Sequence, residues 1–134
     1  MKRTPLKRKT PMRRQRVRMK ARGNTKYRRR ERDVDFMLFV LTQPCVLAGV
    51  AGAGRCDGRV QADHAGARGL GVKAPDNTCV PLCLKHHGNR TDYRGFFRDW
   101  RGERMRAWCD LTISYTQEFY ATLCELGQTP WRTT

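Results

Sequence analysis

The sequence has no long hydrophobic run, and this absence excludes a membrane-spanning helix from the elements that it predicts. The most apolar stretch, Phe36 to Leu41, is six residues long, whereas a bilayer-spanning helix needs about 20. It follows a basic stretch, as the core of a secretory signal would. However, Asp33 and Asp35 precede it, and no cleavage pattern of small residues follows. We therefore expect an intracellular protein with no membrane partner.

Acidic residues are scarce at one end of the chain. Residues 1–32 contain 16 Lys and Arg against one acid, Glu31, which gives +15, while residues 33–134 contain 12 basic and 11 acidic residues, which gives +1. No apolar residue recurs in the first segment at a core-forming period, so it is predicted to be a disordered basic arm. Such an arm indicates a polyanionic partner, for which nucleic acid is the expectation. A solubility tail and a contact with acidic membrane surfaces are the alternatives.

The remaining residues, 33–134, are enough for one small domain. Hydrophobic periodicity and the positions of glycine and proline predict a helix at 30–43, a glycine-rich loop at 44–59 and a strand at 59–65. A second loop at 66–77, a second strand at 78–82 and a short helix that begins near 83 are predicted to follow. The C-terminal part is predicted to be helical at 93–126.

Two of these helices have a predicted buried face. In the first helix it comprises Val34, Met37, Leu38 and Leu41. In the C-terminal helix the spacing of three or four residues selects Met105, Trp108, Thr112, Tyr115, Phe119 and Leu123. These aromatic residues are predicted to be core and not a platform for stacking bases. Gly127 and Pro130 are predicted to close this helix, and the last residues are predicted to be frayed.

The chain has only three histidines, and all lie close to cysteines in sequence. Cysteines stay reduced inside cells, so six of them beside clustered histidines favour metal ligation over disulfides. Cys83 and His86 form a C-x2-H pair that can coordinate one zinc ion at the start of a helix. Cys45 and Cys56 are the natural donors of the other two ligands. Cys79 competes for this role, but we predict that it is a core residue, like Cys109 and Cys124.

The other two histidines predict a second centre. His87 follows His86 on a helix, where neighbouring side chains point about 100° apart, so it can face a different site. Asp63 and His64 are neighbours on a strand, where side chains alternate. If Asp63 and His87 bind one hard divalent cation, His64 lies nearby as a base that can take a proton from water. Considered alone, each histidine could instead be a structural residue that only forms hydrogen bonds.

This segment resembles a known family. Residues 62–64 read ADH and residues 71–87 read GVKAPDNTCVPLCLKHH, a pattern similar to that of the HNH endonucleases, also called ββα-metal or His-Me finger nucleases. Asp63-His64 matches the acid–histidine pair of the family, Asn77 its central asparagine, and His87 its metal-binding histidine. The resemblance covers about Cys45 to Asp99 and is closest to small zinc-containing phage and prophage nucleases such as the recombination-associated Ref-like group.

The resemblance implies an α+β fold with a zinc-stapled ββα-metal core, at about 45–92, and flanking helices. It implies an endonuclease that hydrolyses DNA with Mg²⁺ or Mn²⁺ and leaves 5'-phosphate and 3'-hydroxyl ends. His64 would activate the water, Asp63 and His87 would hold the cation, and Asn77 would belong to the site. Besides DNA, the implied partners are a recombinase filament or other phage recombination proteins in a bacterial cytoplasm.

One loop and two positions depart from the family pattern. The ten residues between Cys45 and Cys56 make this loop longer than usual. Asn77 lies one residue further from Cys83 than in the family, so Thr78 stands at the expected place. Thr91 replaces a further metal-binding histidine, so a water molecule, Asp92 or Asn89 would complete the ligands of the cation. Contacts with DNA phosphates are expected at four basic residues, which are otherwise solvated surface charges: Arg68, Lys73, Arg90 and Arg94.

Two other classes of protein fit part of the pattern. One is a non-catalytic zinc-containing protein that binds DNA or RNA, and the other is a small structural RNA-binding protein. The basic arm fits both, so it cannot discriminate between them. Neither class requires the arrangement of Asp63, His64 and His87.

Removal of residues 1–32 should weaken DNA binding and flatten its salt dependence, because it takes away a net charge of +15. The slope of log affinity against log salt should fall by roughly 0.9 for each phosphate that the arm neutralises in the full-length protein. Fluorescence anisotropy with labelled duplex at several salt concentrations measures this slope. Zinc content and thermal unfolding of the truncated chain are the controls. An unchanged slope would show that the arm is not the electrostatic element.

Overall fold

The computed structural model describes residues 32–67 and 73–132, so the predicted arm lies outside it except for Arg32. Its helices are α1 (Val34–Thr42), α2 (Leu84–Asp92) and α3 (Gly102–Glu125), and its strands are β1 (Val60–His64) and β2 (Cys79–Cys83). Short 3-10 turns at Asp76–Thr78 and Gly95–Phe97 connect them. The structure is mixed α/β, in agreement with the predicted α+β class.

The two strands form one antiparallel hairpin, in which Val60 lies opposite Cys83 and His64 opposite Cys79. The chain turns directly from β2 into α2, as the sequence predicted. Apolar residues cover both faces of the hairpin. One cluster contains Cys45, Leu47, Ala53, Ala65, Val80, Leu82, Cys83, Phe97, Met105 and Cys109. The other contains Phe36, Phe39, Val40, Cys79 and Trp131.

The predicted buried face of α1 is wrong. Val34, Leu38 and Leu41 are exposed, whereas Phe36 and Phe39 are buried, with Val40 beside them. Seven of the nine residues of α1 are apolar, so periodicity alone could not select a face. The two phenylalanine side chains are buried because their rings pack against Tyr120 and Trp131. The distance between ring centroids is 5.1 Å for Phe36–Tyr120 and 4.9 Å for Phe39–Trp131.

The predicted buried face of α3 is confirmed for Met105 and Thr112, and the predicted Trp108 and Leu123 pack against the two apolar clusters. The buried residues of α3 are Met105, Cys109, Thr112 and Thr116, while Tyr115 is 64% exposed and Phe119 39% exposed. Both sets have the helical spacing, so the sequence pattern did not decide between them. The threonines can be buried because each hydroxyl donates to a helix carbonyl four residues earlier, over 2.7 Å.

The C-terminal residues that the structure describes are anchored and not frayed. After α3, Gly127 has a positive φ of 67°, and the chain turns back so that Trp131 is buried against Phe39. The helices of the described residues include none that is both long enough and apolar enough to cross a bilayer.

Candidate metal centre and adjoining polar site

The structure brings the four predicted zinc ligands together. The Sγ atoms of Cys83, Cys45 and Cys56 lie 3.2, 3.4 and 3.7 Å from Nδ1 of His86, and all four ligand atoms lie within 4.8 Å of one another. Sulfur and nitrogen ligands of one tetrahedral zinc ion are about 3.6 Å apart, given the usual bond lengths. This Cys3His cluster can therefore hold a metal such as zinc.

Hydrogen bonds between backbone groups position the loop that carries Cys45 and Cys56. The N–H of Val46 donates to the carbonyl of Pro81 on β2 over 3.0 Å, and the N–H groups of Leu84 and Lys85 donate to carbonyls of residues 59 and 57. Gly58 has a φ of 75°, and a Cβ added there would lie 2.8 Å from Cβ of Leu84. A glycine is thus required where the loop passes the start of α2.

The orientation of His86 is set by a second hydrogen bond. Its Nε2 lies 3.0 Å from the carbonyl oxygen of Ala53, and a carbonyl can only accept, so Nε2 carries the proton. The lone pair of the neutral ring is therefore on Nδ1, the atom that faces the three sulfurs. Histidines that bind metals are commonly fixed in this way by the nitrogen that does not bind the metal.

The thiols of the cluster differ in their acidity. Burial raises the pKa of Cys83, but backbone hydrogen bonds from His86 and Asp57 outweigh it and lower the pKa below the ordinary value. Burial, followed by the hydrogen bond and charge of Cys45, raises the pKa of Cys56 to about 11. A metal ion must therefore displace the proton of Cys56, and binding should weaken as the pH falls.

Asp63 and His87 lie side by side, as predicted, on β1 and α2. Asp63 is 3% exposed, and its Oδ1 lies 3.4 Å from Nε2 of His87. Nδ1 of His87 lies 2.6 Å from Oε1 of Gln61 and donates to it, so the lone pair of the neutral ring is on Nε2 and faces the carboxylate. A carboxylate oxygen and an imidazole lone pair that face each other are donors suited to a divalent cation.

Arg90 was expected to contact phosphate, but it is paired with Asp63. Its Nε donates to Oδ2 and its Nη2 to Oδ1, the latter over 2.6 Å. Burial lowers the pKa of Arg90, but the hydrogen bond and charge of Asp63 more than offset this and raise it. This pairing leaves the side chain of Arg90 only 13% exposed. Arg90 is therefore not the solvated surface charge that the sequence offered as the alternative to a phosphate contact, because a buried carboxylate lies within its reach.

His64 points to the other face of β1, where it forms a pair that was not predicted. Its Nε2 lies 2.9 Å from Oδ1 of Asp76, a residue only 2% exposed. The other oxygen of Asp76 accepts from the backbone N–H of Asp33 over 3.3 Å. The one sequence signal for Asp76 was its place next to Asn77, in the turn that leads into β2.

Cys79 lies beside this pair, and ligand atoms of His64, Asp76 and Cys79 lie within 4.8 Å of one another. A nitrogen and an oxygen on one tetrahedral ion would be about 3.4 Å apart, whereas His64 and Asp76 are at hydrogen-bond distance. We therefore interpret them as a histidine–carboxylate pair. Cys79 is fully buried in the second apolar cluster, which confirms its prediction as a core residue.

Asn77 has a structural contact. Its carbonyl accepts from Nε2 of Gln117 on α3 over 2.8 Å, which ties the turn before β2 to that helix. Its Oδ1 is buried and accepts no hydrogen bond within the described residues. Asp76, not Asn77, supplies the side chain that contacts His64.

The other candidate residues are on the surface or outside the described residues. Lys73 is exposed, and Arg94 is exposed and lies 3.6 Å from Asp92, which is itself half-exposed. The side chain of Asn89 lies beside Gly95. Arg68 falls in 68–72, outside the described residues.

No family model, no curated protein and no solved structure matches this chain. Its class therefore follows from its own residues. They define a mixed α/β chain with a Cys3His centre that can hold a metal such as zinc.

Purified protein should contain one zinc ion per chain, and Cys83→Ser should lose the metal and unfold, because zinc binding and folding are linked. Cys124→Ser is the matched control, since Cys124 is partly buried but outside the cluster, and it should keep the zinc. Elemental analysis and thermal melting measure both. A Cys83→Ser variant that keeps its zinc, or that is well folded without it, would contradict the assignment.

Proposed function

We propose that this chain is a metal-dependent endonuclease of the HNH type that hydrolyses phosphodiester bonds in DNA. One observation carries the proposal. A single β-hairpin and the helix that follows it bear both a histidine paired with a buried carboxylate and an Asp63–His87 pair with facing donor atoms. Neither pair belongs to the Cys3His cluster.

His64 is the proposed general base. An ionised carboxylate can only accept hydrogen bonds, so the contact with Asp76 requires the proton of the neutral ring to be on Nε2. Nδ1 is then the basic nitrogen that takes a proton from the attacking water. Asp76 orients the ring and stabilises the imidazolium that forms, which are the roles of a carboxylate in other histidine-based sites.

Asp63 and His87 are the residues that would hold a catalytic Mg²⁺ or Mn²⁺ ion. When bound, such an ion neutralises charge on the phosphate and on the leaving oxygen. Both oxygens of Asp63 accept hydrogen bonds from Arg90. The carboxylate can therefore bind a cation once the guanidinium of Arg90 moves away. The resemblance to HNH nucleases supports the same two ligands.

DNA is the proposed substrate because of the charge of the chain. The net charge of +15 in residues 1–32 suits a polyanion that is bound without sequence preference. Lys73 and Arg94 add exposed positive charge to the described domain. By its resemblance to phage nucleases, the chain would act in recombination or DNA processing in a bacterial cytoplasm, together with a recombinase or related proteins.

A second candidate function is a zinc-containing module that binds nucleic acid without cutting it. The pairing of Arg90 with Asp63 favours this candidate, because a permanent guanidinium would keep a cation out. It predicts zinc and DNA binding but no cleavage with any divalent metal.

His64→Ala should lower the rate of DNA cleavage by about 100-fold or more, because loss of a general base typically has an effect of this size. DNA affinity and zinc content should remain close to wild type, whereas the melting temperature should fall, because the buried Asp76 loses a hydrogen-bond partner. Asp76→Asn should also slow cleavage, since the amide no longer fixes the ring or stabilises its positive charge. Asp99→Asn, at an exposed position, is the control and should cleave at the wild-type rate.

The cation ligands should behave differently from the base. Excess Mg²⁺ or Mn²⁺ should partly restore activity to Asp63→Ala and His87→Ala but not to His64→Ala. A His64→Ala protein that cuts DNA at the normal rate would refute the mechanism.

A further inference from the structure

We propose that Arg90 is the resident cation of the Asp63–His87 site, and that a divalent ion binds there only by exchange with its guanidinium. This inference rests on the proposed function, because it concerns the cation that the nuclease would use. It makes Arg90 a regulator of cation binding, and not the surface phosphate contact that the sequence predicted.

The environment of Arg90 shows that its place at Asp63 is built into the fold. The side chain is only 13% exposed, and both of its bonds to Asp63 come from one planar group, which fixes their geometry. Cys109 of α3 lies nearby: burial raises the pKa of its thiol, and the charge of Arg90 partly offsets this rise. Arg90 thus pairs with β1 from its position on α2 and lies close to α3.

The same carboxylate faces the donor atom of His87. Nε2 of His87 and Nη2 of Arg90 approach one oxygen, Oδ1 of Asp63, over 3.4 and 2.6 Å. A divalent cation between Asp63 and His87 would therefore lie within a few ångströms of a guanidinium charge. At that distance, in a largely buried site, the two positive charges repel strongly. The carboxylate therefore cannot bind the ion tightly while it remains paired with Arg90.

Mn²⁺ affinity without DNA tests the exchange. The concentration of free Mn²⁺, followed by electron paramagnetic resonance, gives the dissociation constant for zinc-loaded full-length protein. Arg90→Gln should bind Mn²⁺ at least about tenfold more tightly than wild type, because a neutral amide can still donate to Asp63 but no longer repels the ion. The same substitution combined with Asp63→Asn should lose this gain.

Arg94→Gln is the matched control in this titration. It removes the same charge four residues later in the chain, beyond the end of α2, from an exposed side chain that lies near Asp92. Its Mn²⁺ affinity should equal that of wild type. An Arg90→Gln protein with native zinc content and circular dichroism that binds Mn²⁺ no more tightly than wild type would overturn the proposal.

A second measurement needs no variant that might fail to fold. The Nε–H resonance of Arg90 in ¹⁵N-labelled wild-type protein should shift during a Mg²⁺ titration, together with the ring signals of His87. An Arg90 signal that stays unchanged through the whole titration also overturns the exchange.

Cleavage assays separate this proposal from the proposed function. If wild type cuts DNA with Mg²⁺ but Arg90→Gln gains no Mn²⁺ affinity, the exchange fails and the nuclease assignment stands. If Arg90→Gln gains affinity but neither protein cuts any form of DNA, the exchange stands and the nuclease assignment fails.

Discussion

The structure depends on the convergence of three thiols and one imidazole at the joint between β2 and α2. A two-stranded hairpin and a nine-residue helix bury too little apolar surface to be stable alone. A metal ion bound by Cys83 and His86 and by Cys45 and Cys56 would cross-link the start of α2 to the preceding loop. The direction of α2, and therefore of everything it carries, is set at this point.

The neighbouring polar site follows from the same joint. His86 and His87 are consecutive in the first turn of α2, so one ring faces the sulfurs and the other faces Asp63. Arg90 lies three residues after His87 on the same side of the helix and reaches the same carboxylate. Alternation along β1 then turns His64 to the opposite face, towards Asp76. One local unit thus presents a Cys3His cluster that can hold a metal, the Asp63–His87 pair and the His64–Asp76 pair.

Sequence predicted the parts of this unit that depend on local spacing. The C-x2-H pair at the start of α2, the two strands and the adjacency of Asp63 and His87 are of this kind. Asp76 was missed because its contact with His64 requires the register of the hairpin and the approach of Asp33. Arg90 was misjudged because only tertiary structure places a buried acid within its reach. The predicted buried face of α1 was wrong, and that of α3 wrongly included Tyr115 and Phe119, because several faces satisfied the same periodicity.

We propose that the polar site cuts DNA, and incubation of the zinc-loaded protein with supercoiled plasmid and with single-stranded DNA tests this proposal most directly. The account predicts nicked, linear or shortened products with Mg²⁺ or Mn²⁺, and none when the divalent ion is removed by a chelator under conditions that leave the zinc bound. A folded, zinc-loaded protein that binds DNA but leaves both forms intact with every divalent ion would contradict it.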